Sequence, residues 1–262
     1  MLNDTQDVLL VLLTLASALA FMAFLNRIWK PDSRRLHNDL IGWQFSVLGT
    51  TYAVILGFML YTVWINFGAA DLNADAEANA LVNINRLAEG LPDPQRTQMQ
   101  TLTHSYAAVV IDREWPQMAA DQIPDETRRI NAAMWKTLMT LKATLPAEAT
   151  AEDHSLYELS ALTEHRRTRC LQSARRLPGV LWFVLIIGGL VTVASSCAFG
   201  SLNSSLHGAQ VFAFSLLISL VLIAIADIDR PFEGRVHVST YSFVRAQLNM
   251  DPSMDLRQAP HP

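Results

Sequence analysis

Fifty consecutive residues, Leu177 to Ala226, contain no Asp, Glu, Lys or Arg. About 20 apolar residues cross the ~30 Å hydrocarbon core of a bilayer as a helix, so this run is too long for one span and suits two. The polar stretch Gly200 to Gly208, reading GSLNSSLHG, divides it at the natural place. The sequence therefore predicts helices over 178–199 and 209–226, joined by a tight hairpin. Pro178 suits the first turn of the former, and Trp182 lies near its entry, where an interfacial aromatic is expected.

Two similar blocks come earlier. Val8 to Leu25 is eighteen residues without a charge, enough for a first span. Ala18-Leu19-Ala20 resembles a signal-peptidase site, but Asp4 and Asp7 precede it without Lys or Arg, and the apolar run continues to Leu25. The reading is an uncleaved helix. Ile41 to Phe67 is also free of charged residues and would run roughly 40 Å as a helix. On it Gly42, Ser46, Gly49, Thr50, Ala53 and Gly57 fall on one helical stripe. Such a stripe lets another helix approach closely, or it lines a narrow aqueous path; the pattern leaves both open.

Four spans place both termini and the intervening domain on one side. The domain side carries Arg86, Arg166, Arg167, Arg169, Arg175, Arg176, Arg230, Arg235 and Arg245 near the membrane ends, against Arg27, Lys30, Arg34 and Arg35 opposite. That excess predicts a cytoplasmic domain in a multi-pass membrane protein, with cytoplasmic termini.

The domain reads as helical. The second span continues through Ala78, Leu81, Leu87 and Ala88 until Gly90-Leu91-Pro92 ends it. Met99, Leu102, Tyr106 and Val109 mark an amphipathic segment stopping near Trp115-Pro116. Ile130, Met134, Leu138 and Leu141 mark another, with Asp125 and Glu126 suited to its first turn and Pro146 after its end. A third runs from about Ala151 through Leu156 and Leu159 towards Leu177. The expected division is 1–68 for the first two spans, 69–177 for the helical cytoplasmic domain, 178–226 for the last two spans, and 227–262 for a C-terminal segment ending in a mobile tail from Met250. The fold class is an all-α integral membrane protein with four transmembrane helices and a helical cytoplasmic domain.

Several functions are disfavoured. The net charge of -4 and the lack of a basic tract with interleaved aromatics argue against nucleic-acid binding. Cys170 and Cys197 have no metal-ligand spacing, and the seven histidines are scattered. No nucleotide loop, nucleophile elbow or metal helix occurs, so neither an enzyme nor a cofactor is expected. Asp227 and Asp229 sit beside Arg230, where a local ion pair or helix cap competes with acid-base work.

Two motifs carry more weight. Val54-Ile55-Leu56-Gly57-Phe58-Met59 lies in the second span, and Asp229-Arg230-Pro231-Phe232-Glu233-Gly234 follows the last. With His37-Asn38-Asp39 and Glu114-Trp115-Pro116 in order between and before them, the chain resembles the bacterial bestrophin-like domain proteins over roughly residues 35 to 245. More distantly it resembles the bestrophin ion channels. The resemblance implies a homo-oligomer, pentameric in bestrophins, whose second helix lines a central pore. Matching the Gly-Phe pair places the three neck positions at Thr50, Val54 and Phe58; Phe58 matches in type, Val54 is smaller, and Thr50 departs. The acidic run that serves calcium in bestrophins is absent, since Gly234-Arg235-Val236-His237-Val238 follows Glu233. No metal site is carried over, and Arg230-Pro231-Phe232 is expected to turn the chain at the membrane surface and pack under the bundle.

Physical chemistry agrees on what such a ring does. Val54 and Phe58 around an axis form an apolar constriction able to gate by dewetting, while Thr50 offers hydroxyls; the alternative is that both pack on a neighbouring helix. Asp71, Asp75 and Glu77 are candidates for an acidic exit ring favouring cations, whereas Arg166, Arg167 and Arg169 favour anions if they line the same vestibule. The leading expectation is a passive channel for inorganic ions, with the lipid bilayer and further copies of itself as partners. The rival is a membrane sensor or scaffold whose helical domain binds a protein.

Overall fold

A computed structural model describes residues 4–122 and 124–251. It is all-helical, and four of its helices are long and apolar enough to cross a membrane. These are α1 (Asp4–Ile28), α3 (Asn38–Leu87), α8 (Gly179–Cys197) and α9 (Ser204–Ile228). A short α2 (Pro31–Arg35) lies between the first two. The remaining helices are α4 (Gln95–Val109), α5 (Trp115–Ala119), α6 (Glu126–Met139), α7 (Pro146–Ala174) and α10 (Tyr241–Met250). The predicted tail from Met250 falls almost wholly outside the described residues.

The chain divides into two compact units, one of residues 1–65 and 176–229, the other of 66–175 and 230–262. In the first, α1 packs on α8 and α9, which pack on each other. Tyr52, Leu56 and Val63 of α3 close a second seam with Leu185, Ile218 and Ile225. Close approach here depends on Gly188 and Gly189, where an added Cβ would stand 2.7 and 2.9 Å from the Tyr52 side chain. The Tyr52 hydroxyl then donates to the Leu185 carbonyl at 2.8 Å. This surface is otherwise apolar outward, with Leu13, Val180, Phe183 and Leu190 exposed.

In the second unit Ala70, Ala74, Ala78, Leu81, Ile84 and Ala88 of α3 keep the helical period and pack with Met99, Tyr106, Met134, Leu138 and Leu159. Pro116 does not stop α4. A wide π turn over Val110–Glu114 precedes it, and the proline takes the first turn of α5. A proline lacks the N–H and crowds the preceding carbonyl, and a widened turn absorbs both defects. Pro146 follows the end of α6 and itself opens α7, and Pro178 caps α8 from just outside its first turn.

The helix α10 is a structural element that the reading of the sequence left as an unassigned C-terminal segment. Phe243, Ala246 and Met250 fall on its buried face.

Candidate functional site

The long α3 supplies the first group of residues. In the first unit its outward face carries Val47, Thr51, Val54, Phe58, Tyr61 and Ile65, spaced alternately by four and three residues. All are exposed, Phe58 to 64% and Val54 to 52%. A 3.5-residue period is the spacing at which helix–helix packing positions recur. Thr50 is also exposed and stands four residues before Val54, so Thr50, Val54 and Phe58 occupy successive turns of one face. An added Cβ at Gly49 or Gly57 would meet nothing within 4 Å. The small-residue stripe therefore does not serve packing between helices of one chain over these positions; Gly188 and Gly189 of α8 do that.

In the second unit the same helix exposes Asp71, Leu72 and Asp75. Asn79 donates its Nδ2 hydrogen to Asp75 Oδ2 at 3.2 Å. Glu77 is not beside them. It is fully buried, two residues past Asp75 and so about 200° around the helix. Of the three acids, only Asp71 and Asp75 are exposed.

Glu77 belongs instead to a buried ionic cluster. Arg169 of α7 donates Nε to Glu77 Oε2 at 2.7 Å and Nη2 to Glu77 Oε1 at 3.0 Å, a bidentate pair. Nη2 also donates to Glu114 Oε2 at 2.8 Å. Tyr106 donates its hydroxyl to Glu77 Oε1 at 2.6 Å. Glu114 accepts from the Thr127 N–H at 2.9 Å and hydroxyl at 2.6 Å, and Arg166 donates to that hydroxyl. The guanidinium carbon of Arg169 lies 5.6 Å from the Trp115 ring centroid and 6.0 Å from that of Phe243. Arg169 is thus unavailable as an anion-attracting vestibule charge.

The two carboxylates and two guanidinium groups balance, which is what a dry interior requires. Burial alone would push the Glu114 carboxyl up, yet Arg169 and Thr127 outweigh it and hold it below the usual carboxylate range. Burial opposes the charge of Arg169, but Glu77, with Tyr106 and Glu114, raises its affinity for the proton well above the ordinary guanidinium value. Burial, reinforced by Glu77, likewise keeps the Tyr106 phenol protonated far into the alkaline range.

The residues of the motif after α9 divide between the two units, with local polar partners in each. Asp229 accepts the Leu177 N–H on both carboxylate oxygens at 3.1 Å, within the first unit. Arg230 pairs with the buried Glu233 at 2.8 Å, within the second. Phe232 is buried there, edge-on to Trp115 at 5.3 Å between centroids. The Val238 N–H returns to the Pro231 carbonyl at 2.7 Å, the Trp115 indole donates to the Val238 carbonyl at 3.0 Å, and Gly234 takes a φ of 88°, which favours glycine. Pro231-Phe232 therefore packs into the core of the second unit, where Trp115 supplies a buried aromatic partner.

The motifs within α3, at Glu114-Trp115-Pro116 and after α9 are thereby placed, and a family model described as the Bestrophin-like domain matches residues 10–243. The chain belongs to the bestrophin-like family. Comparison with curated proteins and with solved structures finds no match. In this bestrophin-like chain no three His, Cys, Asp or Glu side chains gather as a metal site among the described residues. The cluster around Arg169 was missed from sequence, although one signal was present: Glu77 stands in phase with the apolar run Ala70, Ala74, Ala78 and Leu81, an odd place for a solvated acid.

Proposed function

We propose that the protein is a homo-oligomeric, membrane-inserted ion channel in which α3 of each copy lines a shared passive pore. The observation that carries this is the exposed face of α3: a heptad-spaced row, apolar at every position but Thr51, with open glycines beside it, left uncovered by the chain's own helices. Rotational symmetry turns each residue of it into a ring. Membership of the bestrophin-like family supports the same reading.

In this arrangement Phe58 and Val54 form an apolar neck that gates by dewetting, and Thr50 widens or wets one end with hydroxyls. Asp71 and Asp75 form the acidic approach and favour cations. The second unit and both termini lie in the cytoplasm of a bacterial cell, the oligomer is a pentamer, and conduction needs no catalytic group or cofactor. The test is ion flux from liposomes holding the purified protein, under potassium, sodium and chloride gradients. Selective flux that Phe58→Ala alters, with oligomer size unchanged, is the expected result. Flux indistinguishable from protein-free vesicles across voltage, pH and divalent-ion conditions would remove the channel and leave a sensor or scaffold.

A further inference from the structure

The corner joining α1 to α3 in the first unit concentrates basic residues in a chain of net negative charge. Four of the twenty Lys and Arg residues lie within 27–35. One of them builds the corner. Arg34 is fully buried and donates Nη1 to the carbonyl of Cys197, the last residue of α8, at 2.9 Å, and Nη2 to Asn26 of α1. A cation placed there offsets the partial negative charge at a helix C-terminus. Asn38 and Gly200 exchange two hydrogen bonds of 2.9 Å each. At Gly200 an added Cβ would stand 2.4 Å from the Arg35 nitrogen and 2.5 Å from the Pro31 carbonyl, so α2 and the α8–α9 loop are in direct backbone contact. The corner is a fixed platform.

The other three cations lie on its surface. Arg27, Lys30 and Arg35 are exposed, and none makes an ion pair or a side-chain hydrogen bond among the described residues. Exposed apolar side chains accompany them along the same stretch of chain: Ile28 at 68%, Leu36 at 84% and Trp43 at 69%. Free cations on a rigid base, flanked by uncovered aliphatic and aromatic groups, match a ligand with an anionic head and hydrocarbon tails. A soluble anion would leave the apolar groups unserved.

We propose that this corner binds the phosphate headgroup of an anionic phospholipid, with Arg27, Lys30 and Arg35 holding the phosphate and Ile28, Leu36 and Trp43 lying along its acyl chains. The assignment rests on the membrane-inserted reading given above. Each cation near an anionic lipid surface contributes enough that losing all three weakens retention on the order of a hundredfold.

The test uses the full chain reconstituted in phosphatidylcholine vesicles and in vesicles containing phosphatidylglycerol, followed by detergent extraction and native mass spectrometry of retained lipid. The expected result is retained phosphatidylglycerol on the wild type and near-complete loss in R27Q/K30Q/R35Q. The lysine-for-arginine variant R27K/R35K should keep the lipid, and a control with three exposed arginines of the second unit replaced, R86Q/R129Q/R167Q, should keep it as well. Equal retention by the wild type and the R27Q/K30Q/R35Q variant overturns the site. So does inorganic phosphate displacing the lipid at millimolar concentration, which would make it a site for a soluble anion. Flotation of the same vesicles separates the two readings. Protein that floats with phosphatidylcholine but shows no anionic preference defeats the lipid site alone; protein that never floats defeats membrane insertion with it.

Discussion

Apart from Arg34, a fully buried cation at the α1–α3 corner of the first, the two units bury polar groups by different means. The second holds charges in its interior, with Arg169, Glu77 and Glu114 all fully buried and paired. Along its apolar helices the first buries hydroxyls that bond mainly to nearby backbone or to one another: Thr192 to the Gly188 carbonyl at 2.6 Å, Ser219 to the Ser215 carbonyl at 2.8 Å, and Thr14 to Ser219 at 3.0 Å. Much of the exterior of those helices is apolar as well. Hydrophobicity cannot then tell inside from outside, so small residues and short hydroxyl bonds set the packing. The second unit has a polar exterior, apolar burial already separates core from surface, and a balanced ion cluster adds a geometric requirement on top.

Breaking the ion cluster should have the largest effect. Arg169→Leu leaves two buried carboxylates without their shared cation and should cost about 3–5 kcal/mol, read as loss of amide-exchange protection over α4 to α7 with the first unit retained. Replacing Arg169, Glu77 and Glu114 together by apolar residues should recover much of that loss. Next come two glycines that sharpen the contrast within the first unit. Gly188→Ala forces Tyr52 out of its seat and should cost about 1–3 kcal/mol in thermal unfolding, whereas Gly57→Ala, facing open space, should cost less than about 0.5 kcal/mol.

Acid should act selectively. Glu114 is held below its unfolded value of about 4.3, so its contribution is full above that value and is lost as pH falls through the lowered one. Tryptophan fluorescence of Trp115 should report loosening below about pH 4, and Glu114→Gln should flatten that acid limb while lowering stability at neutral pH. The smallest stability effect is expected of Phe58→Ala, within about 0.5 kcal/mol, although the same change should alter flux.

Much of this was legible along the chain. The four apolar blocks follow from uninterrupted composition, and the end of α3 follows from Gly90-Leu91-Pro92. Thr50, Val54 and Phe58 could be assigned to one face because helical period is a local property. The pairing of Glu77 with Arg169 was not legible, since 92 residues separate them and the phase of Glu77 marks a buried acid without naming its partner. Glu77 was therefore grouped with Asp71 and Asp75 by proximity in sequence, where its phase pointed the other way. The π turn before Pro116 was hidden for a different reason: a proline normally signals a stop, and only the packing of Trp115 shows why the chain goes on.

Trp115 meets Phe232 and Phe243, residues that follow α9 in the chain. A ribosome therefore delivers α4 to α7 long before it delivers the segment that finishes their core. Until residue 243 has emerged, both α8 and α9 must already have been made, and the aromatic side of Arg169 stays uncovered. Assembly of the second unit is in this way postponed until the last apolar helices exist, so a polypeptide cut short after Ile228 would carry its defect in the earlier part of the chain.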